Sequence, residues 1–195
     1  MKLAPMTKNV QRMLVVCPDG CRKRAGGRYI AQMNAPLVPV PADSLVAAYA
    51  ATDFLVLALR PVTLRVDQMV AGLDDWLRAQ RCESAVVISA RSPFSQVLAE
   101  DEEDRRHEEL RALVERAGLR SAPAVGRPRE GTWQPERCIC VLDLADDLAT
   151  GWMRRVEQYA VVVAVLGQGC RLRWHPDLGH PATISCVQVD EDSRG

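Results

Sequence analysis

Residues 54–90 read FLVLALRPVTLRVDQMVAGLDDWLRAQRCESAVVISA, and the reading of this stretch sets the expected fold. Phe54-Leu-Val-Leu-Ala-Leu59 is continuously apolar, as in a strand covered on both faces, and Pro61 closes it. Val66, Met69, Val70, Leu73 and Leu77 then recur at i, i+3, i+4, i+7 and i+11, the stripe of one helix face running to about Gln80. Ala85-Val-Val-Ile-Ser-Ala90 is a second buried strand. Strand, helix and strand joined by short connections form a βαβ unit, whose two strands are parallel and whose crossover is right-handed.

Working outward, a second helix has Leu110, Leu113, Val114 and Ala117 as its buried stripe and Gly118 as its stop. Glu102, Glu103 and Asp104 sit in its first turn, where negative charge suits the helix dipole. From Leu119 to Pro135 the pattern is irregular, with Pro123, Gly126, Pro128, Gly131 and Pro135 as breakers. Cys138-Ile-Cys-Val-Leu142 is a strand with both thiols on one side. Asp146 or Asp147 caps a third helix with Leu148, Trp152, Val156 and Tyr159 as its apolar positions. Val161 to Leu166 and Cys170 to Trp174 form an antiparallel hairpin across Gly167-Gln-Gly169, and Ile184 to Val189 is one more candidate strand. Before the main body, Asp43-Ser44 caps a short helix through Leu45, Val46 and Tyr49.

The expected class is therefore α/β: a single domain with a mixed, partly parallel sheet and about three packed helices. Residues 1–41, with the turn Pro18-Asp19-Gly20 and prolines at 36, 39 and 41, form an N-terminal arm or hairpin. The α/β domain spans 42–189, and 190–195 is a solvated tail.

Composition bounds the function. With 195 residues, 48% hydrophobic and 26% charged, the chain can bury a core without staples. Lys+Arg and Asp+Glu balance at 25 each, so no net field draws it to nucleic acid or an anionic membrane. Aromatics at 5% argue against an extended base-stacking platform. No stretch reaches the roughly 18 apolar residues of a membrane span, and the first residues lack a secretory signal. Seven cysteines without such a signal read as reduced thiols of a cytoplasmic protein.

Several landmarks together resemble a bacterial family known as domain of unknown function 3293. The residues that carry the likeness are Ala48-Tyr49 with Thr52, then Ser89-Ala-Arg91-Ser92-Pro-Phe-Ser95 where the family has Thr-Ala-x-Asn-Pro-x-Ser. Leu110, Leu113 and Ala117-Gly118 follow, and Trp133-Gln-Pro-Glu136-Arg-Cys138 is similar to its Trp-x-Glu-x-Ser pattern. The likeness spans roughly residues 45 to 175. The family's asparagine is Ser92 here, a second asparagine is lost in the acidic run around Asp104, and a glutamine near Val161 has become apolar. The resemblance implies kinship of fold and no defined activity.

Two places are candidates for function. The loop Ser89 to Ser95 leaves the C-terminal end of a strand expected to be parallel, where ligands tend to bind, and Arg91, Ser92 and Ser95 offer donors to an anion. The bland reading is a Ser-Pro turn and a cap. Trp133 and Glu136 lie in the irregular stretch, an aromatic wall beside a carboxylate; the bland reading is a packed Trp and a Glu paired with an Arg. Cys17 and Cys21 with His175 and His180 form Cys-x3-Cys and His-x4-His, spacings that fit no compact finger, so no metal and no cofactor is assigned. The two thiols across a hairpin turn are the plainer account. His107 is read as a solvent-facing residue of a charged helix.

The expected function is a non-catalytic binding or interaction module with its site at Arg91, Ser92, Ser95, Trp133 and Glu136. The partner is unassigned, a protein or a second copy being candidates, with no membrane. One rival is a small hydrolase or nuclease with Glu136 near a histidine, a cysteine or a second acid. The other is a nucleic-acid accessory that uses Arg22, Lys23, Arg24 and Arg28 with Arg171 and Arg173, a reading the charge balance disfavours.

Overall fold

The structure, a computed structural model, describes residues 47–130 and 134–178, all within the compact unit Pro39–Gly195. The arm 1–41, the cap Asp43-Ser44, the strand expected at Ile184 to Val189, the tail 190–195, Trp133, Cys17, Cys21 and His180 lie outside the described residues. After a helical turn at 47–50 come β1 (Thr52–Val56), β2 (Val62–Leu64), α1 (Leu73–Gln80), β3 (Ser84–Ile88), α2 (Glu100–Arg116), β4 (Ser121–Pro128), β5 (Glu136–Leu142), α3 (Asp146–Val156), β6 (Ala160–Val165) and β7 (Gly169–Trp174).

The seven strands form one sheet in the order β2-β1-β4-β5-β3-β6-β7, and every pairing is antiparallel. The expected α/β class with a partly parallel sheet is thus corrected to an α+β domain. The two strands of the supposed βαβ unit, β1 and β3, do not touch, because β4 and β5 lie between them.

The physical reason is burial on both faces. Along β3, Ala85 and Val87 pack into one core layer while Val86 and Ile88 pack into the other. β5 and β6 divide their residues between the two layers in the same way. Central strands of this kind lose the apolar–polar alternation that marks an antiparallel sheet with one wet face. α1 supplies Leu73, Trp76 and Leu77 to one layer; α2 and α3 supply Leu110, Val114, Ala149, Trp152, Met153 and Val156 to the other.

Two strands were hidden by their residue types. β4 carries Pro123 and Pro128, which read as breakers. Pro123 offers its carbonyl to the Leu57 N–H (2.8 Å) beyond the last β1 pair, Val56 with Ala124, so its missing donor falls where that ladder ends. Pro128 lies beyond the last β5 pair, Gly126 with Glu136, and its missing donor likewise meets no partner. β2 is the alternating Val62-Thr-Leu64, continued by Val66, with all three apolar residues buried. The stripe from Val66 is therefore strand and turn before it is helix: Met69 is exposed, and α1 begins only after Gly72 at φ 79°.

Smaller differences follow from local packing. Leu148 is exposed, although Trp152, Val156 and Tyr159 are buried as expected. Asp146 is the first residue of α3 after Ala145 and makes no cap bond; Asp147 accepts only from the Leu148 N–H (2.8 Å). His107 is half-buried, with Nδ1 enclosed and without a hydrogen-bond partner, where a solvent-facing ring was expected. The β6–β7 hairpin and the stop at Gly118, φ 65°, are as read.

The sheet curls into a half-barrel. Asp67, just past β2, donates its N–H to the Cys170 carbonyl on β7 (3.0 Å), so the two edges approach each other. Gly169 makes that approach possible. It holds φ 71°, and a Cβ there would stand 3.0 Å from the Gln68 carbonyl oxygen and 2.9 Å from Met69 Sδ. Gly169→Ala combines left-handed backbone with a clash against main chain and is expected to cost about 2 kcal/mol, read from urea midpoints.

Candidate functional site

At one end of the sheet lie the N-terminus of β5 and the C-terminus of β3, and strand geometry aims two polar side chains at the same layer. Ser89 follows Val87 at a spacing of two, and Glu136 precedes Cys138 and Cys140 at the same spacing, so both face the layer that holds α1. They meet: the Ser89 hydroxyl donates to Glu136 Oε1 at 2.6 Å. The same hydroxyl accepts the Arg91 N–H (3.1 Å) and lies 3.1 Å from the Arg137 carbonyl.

Burial dominates the electrostatics of Glu136 and raises its pKa above the ordinary carboxylate value; the nearby Glu103 charge adds to this. The Ser89 hydroxyl, the Arg91 guanidinium and the Ser92 backbone N–H oppose the rise. Tyr49 and Cys138 complete the surroundings. Each is driven to a higher pKa first by burial and next by the Glu136 charge, so phenol and thiol stay protonated. Tyr49 Oη donates to the Ala160 carbonyl (2.9 Å), which fixes the ring against Phe54 and Trp174.

Arg91 is not an open cation. Its Nε pairs with the buried Glu103 carboxylate, and Nη1 donates to the Pro135 carbonyl (2.8 Å). Glu103 was read from sequence as a dipole-suiting residue of the first turn of α2, yet it is 8% exposed and ties that helix to the loop. Arg106 was missed as well. From α2 it donates to the carbonyls of Ala90 (2.9 Å) and Val156 (2.8 Å) and pairs with Glu157 (3.3 Å). A spacing of three from Glu103 to Arg106 on one helix was the available signal, since it turns both toward one side.

Between these anchors the loop makes a tight 3-10 turn, Pro93–Ser95, with Phe94 at φ 43° and Ser95 at φ 60°. Left-handed backbone at a phenylalanine persists only where neighbours over-determine it. Here the Phe94 N–H donates to the Glu157 carbonyl (2.7 Å), and the ring packs edge-on against Tyr159 and the buried His175. Burial lowers the His175 pKa, and its Nδ1 accepts the Asp177 N–H (3.3 Å), so the ring is neutral.

Of the residues singled out, Arg91, Ser92 and Glu136 come together, with Ser92 contributing its backbone N–H. Ser95 is exposed on the loop, and its N–H donates to the Ser92 carbonyl (3.0 Å). Among the described residues no group of three or more His, Cys, Asp or Glu side chains has metal-binding geometry, and no helix is long and apolar enough to cross a membrane. Arg173 pairs with Asp146 and Thr150 of α3, while Arg171 reaches Gln168.

The raised Glu136 pKa has a consequence for stability. Between the unfolded and folded pKa values the folded state binds more protons than the unfolded state, so stability falls as pH rises from the ordinary glutamate value through the folded one. Urea midpoints compared between the wild type and Glu136→Gln across this window are expected to show the wild type losing ground as pH increases.

Residues 88–161 match the model of a family described as Protein of unknown function (DUF3293). The resemblance read from the sequence is borne out over that stretch, which contains Ser89, Arg91, Glu103, Glu136 and Cys138. No curated protein and no solved structure matches the chain.

Proposed function

We propose that the chain is a non-catalytic binding module whose ligand is held at the strand end by Glu136, with Arg91 and Ser92 shaping the cradle and Ser95 at its margin. One observation carries the reading: a half-buried carboxyl that takes a hydrogen bond from Ser89 beside an arginine already neutralised by Glu103. When Glu136 ionises, the trio of Arg91, Glu103 and Glu136 is left with one uncompensated negative charge. The matching ligand therefore carries N–H donors, an amine or a guanidine, and Arg91 acts through Glu103 and the loop instead of holding an anion.

The same groups argue against catalysis. Ser89 is 4% exposed, and its proton is engaged by Glu136; burial keeps the Cys138 thiol protonated. A nucleophile needs access and a deprotonated form, and neither residue has both.

The test is a thermal-shift titration of the whole chain with small amines and guanidines against small anions. A rise in melting temperature with an N–H ligand, lost in Glu136→Gln, is the expected result, because binding to the native state stabilises it by mass action. A panel without effect, or a shift that survives in Glu136→Gln, would overturn the reading.

A further inference from the structure

On the opposite face of the sheet, three arginines gather around one buried acid. Asp53 on β1 stands directly across from Arg127 on β4, and Arg65 follows the Leu64–Phe54 pair of β2 and β1. Arg65, Asp53 and Arg127 thus lie side by side across three strands, at cross-strand spacings of about 5 Å. Arg65 grips the carboxylate with Nε (2.8 Å) and Nη2 (3.4 Å). Arg129 brings Nε to 3.8 Å of the same carboxylate while its Nη2 is anchored on the Ala50 carbonyl.

Asp53 is 8% exposed, whereas the side chains of Arg65 and Arg129 are 42% and 40% exposed and Arg127 is exposed. Among the described residues, the ion pairs of these arginines all end on Asp53, and Arg127 makes none. Three positive charges against one negative leave two uncompensated. The layer that α2 and α3 cover draws on β3, β5 and β6 and takes no residue from β1, β2 or β4, so no described helix packs over this face.

The geometry points to a phosphate-binding site formed by Arg65, Arg127 and Arg129 about Asp53, separate from the Glu136 cluster. Asp53 satisfies one guanidinium and orients the row, and the surplus of two charges matches a phosphate dianion. Guanidinium forks bind phosphate oxygens in pairs, and the carbonyl anchor on Arg129 removes part of the ordering cost. A phosphate borne by a small molecule and one in a nucleic-acid backbone share this chemistry, and salt dependence separates them.

The experiment titrates the full chain with inorganic phosphate, a mononucleotide and a short single-stranded oligonucleotide, each against sodium chloride of equal ionic strength, reading melting temperature and binding heat. A phosphate-specific shift is expected. Arg127→Ala should weaken it about tenfold or more without changing the melting temperature of the unliganded protein, and Arg127→Lys should recover part of the loss. A steep salt dependence with the oligonucleotide far ahead of the small phosphates identifies a backbone; equal binding of the mononucleotide identifies an isolated phosphate group. The proposal is overturned if no probe exceeds chloride or if Arg127→Ala binds as the wild type does. Glu136→Gln should leave this binding intact, so failure here is distinguishable from failure at the other site.

Discussion

Leu77→Ala is expected to destabilise the protein by about 3 kcal/mol, whereas Met69→Ala should stay within about 0.5 kcal/mol of the wild type. Sequence periodicity puts both residues on one buried helix face; the fold separates them. Leu77 of α1 is fully enclosed in the core layer that this helix shares with the sheet, so truncation removes buried methyl groups and leaves a cavity. Met69 precedes α1 and is 57% exposed. For a domain of this size the Leu77 variant should melt roughly 6–12 °C lower, and urea unfolding of both variants reads the difference. Equal losses at the two positions would mean that the helix begins at Val66 after all.

The second large effect is expected at the pair that ties α2 to the strand-end loop. Glu103→Ala should cost about 2 kcal/mol, since it leaves the Arg91 guanidinium partly buried and without its carboxylate. The loss is smaller than for a sealed ion pair because the Arg91 side chain is 28% exposed and water can reach it. Arg91→Ala should destabilise by a similar amount through Glu103. The double variant should then be less destabilised than the two single losses combined, by about 1 kcal/mol or more, as contacting residues in one network do. Strict additivity in a urea double-mutant cycle would sever the link between helix and loop on which the site geometry depends.

Much of the element list was legible in the residues and much of the topology was not. The apolar runs at 54–59, 85–90, 138–142 and 161–166 each fall on a strand, and Gly118 ends its helix. Strand direction was lost because a strand buried on both faces reads alike in parallel and antiparallel sheets, and the usual tie-breaker, an intervening helix, here joins strands that are not neighbours in the sheet. The prolines of β4 concealed the strand that separates β1 from β3; only the ladder ends on either side explain why they are tolerated.

At the site, the loop chemistry around Ser89 to Ser95 and the carboxylate of Glu136 could be read from residue types at a strand end. The pairing that unites them could not. It depends on β3 and β5 being neighbours, which aligns Ile88 with Ile139 and brings Ser89 beside Glu136. Glu103 was hidden for a different reason: in a run of five acids and two arginines, nothing local marks the one carboxylate that turns inward.

Carbon-detected NMR titration of the Glu136 carboxyl in the intact protein tests the account of the strand-end site most directly. The expected midpoint lies above the ordinary glutamate value and moves still higher in Ser89→Ala, where the hydrogen bond that favours the ionised form is gone. A midpoint at or below the ordinary value, unchanged in Ser89→Ala, would mean that Glu136 faces water and that the cluster is not the site.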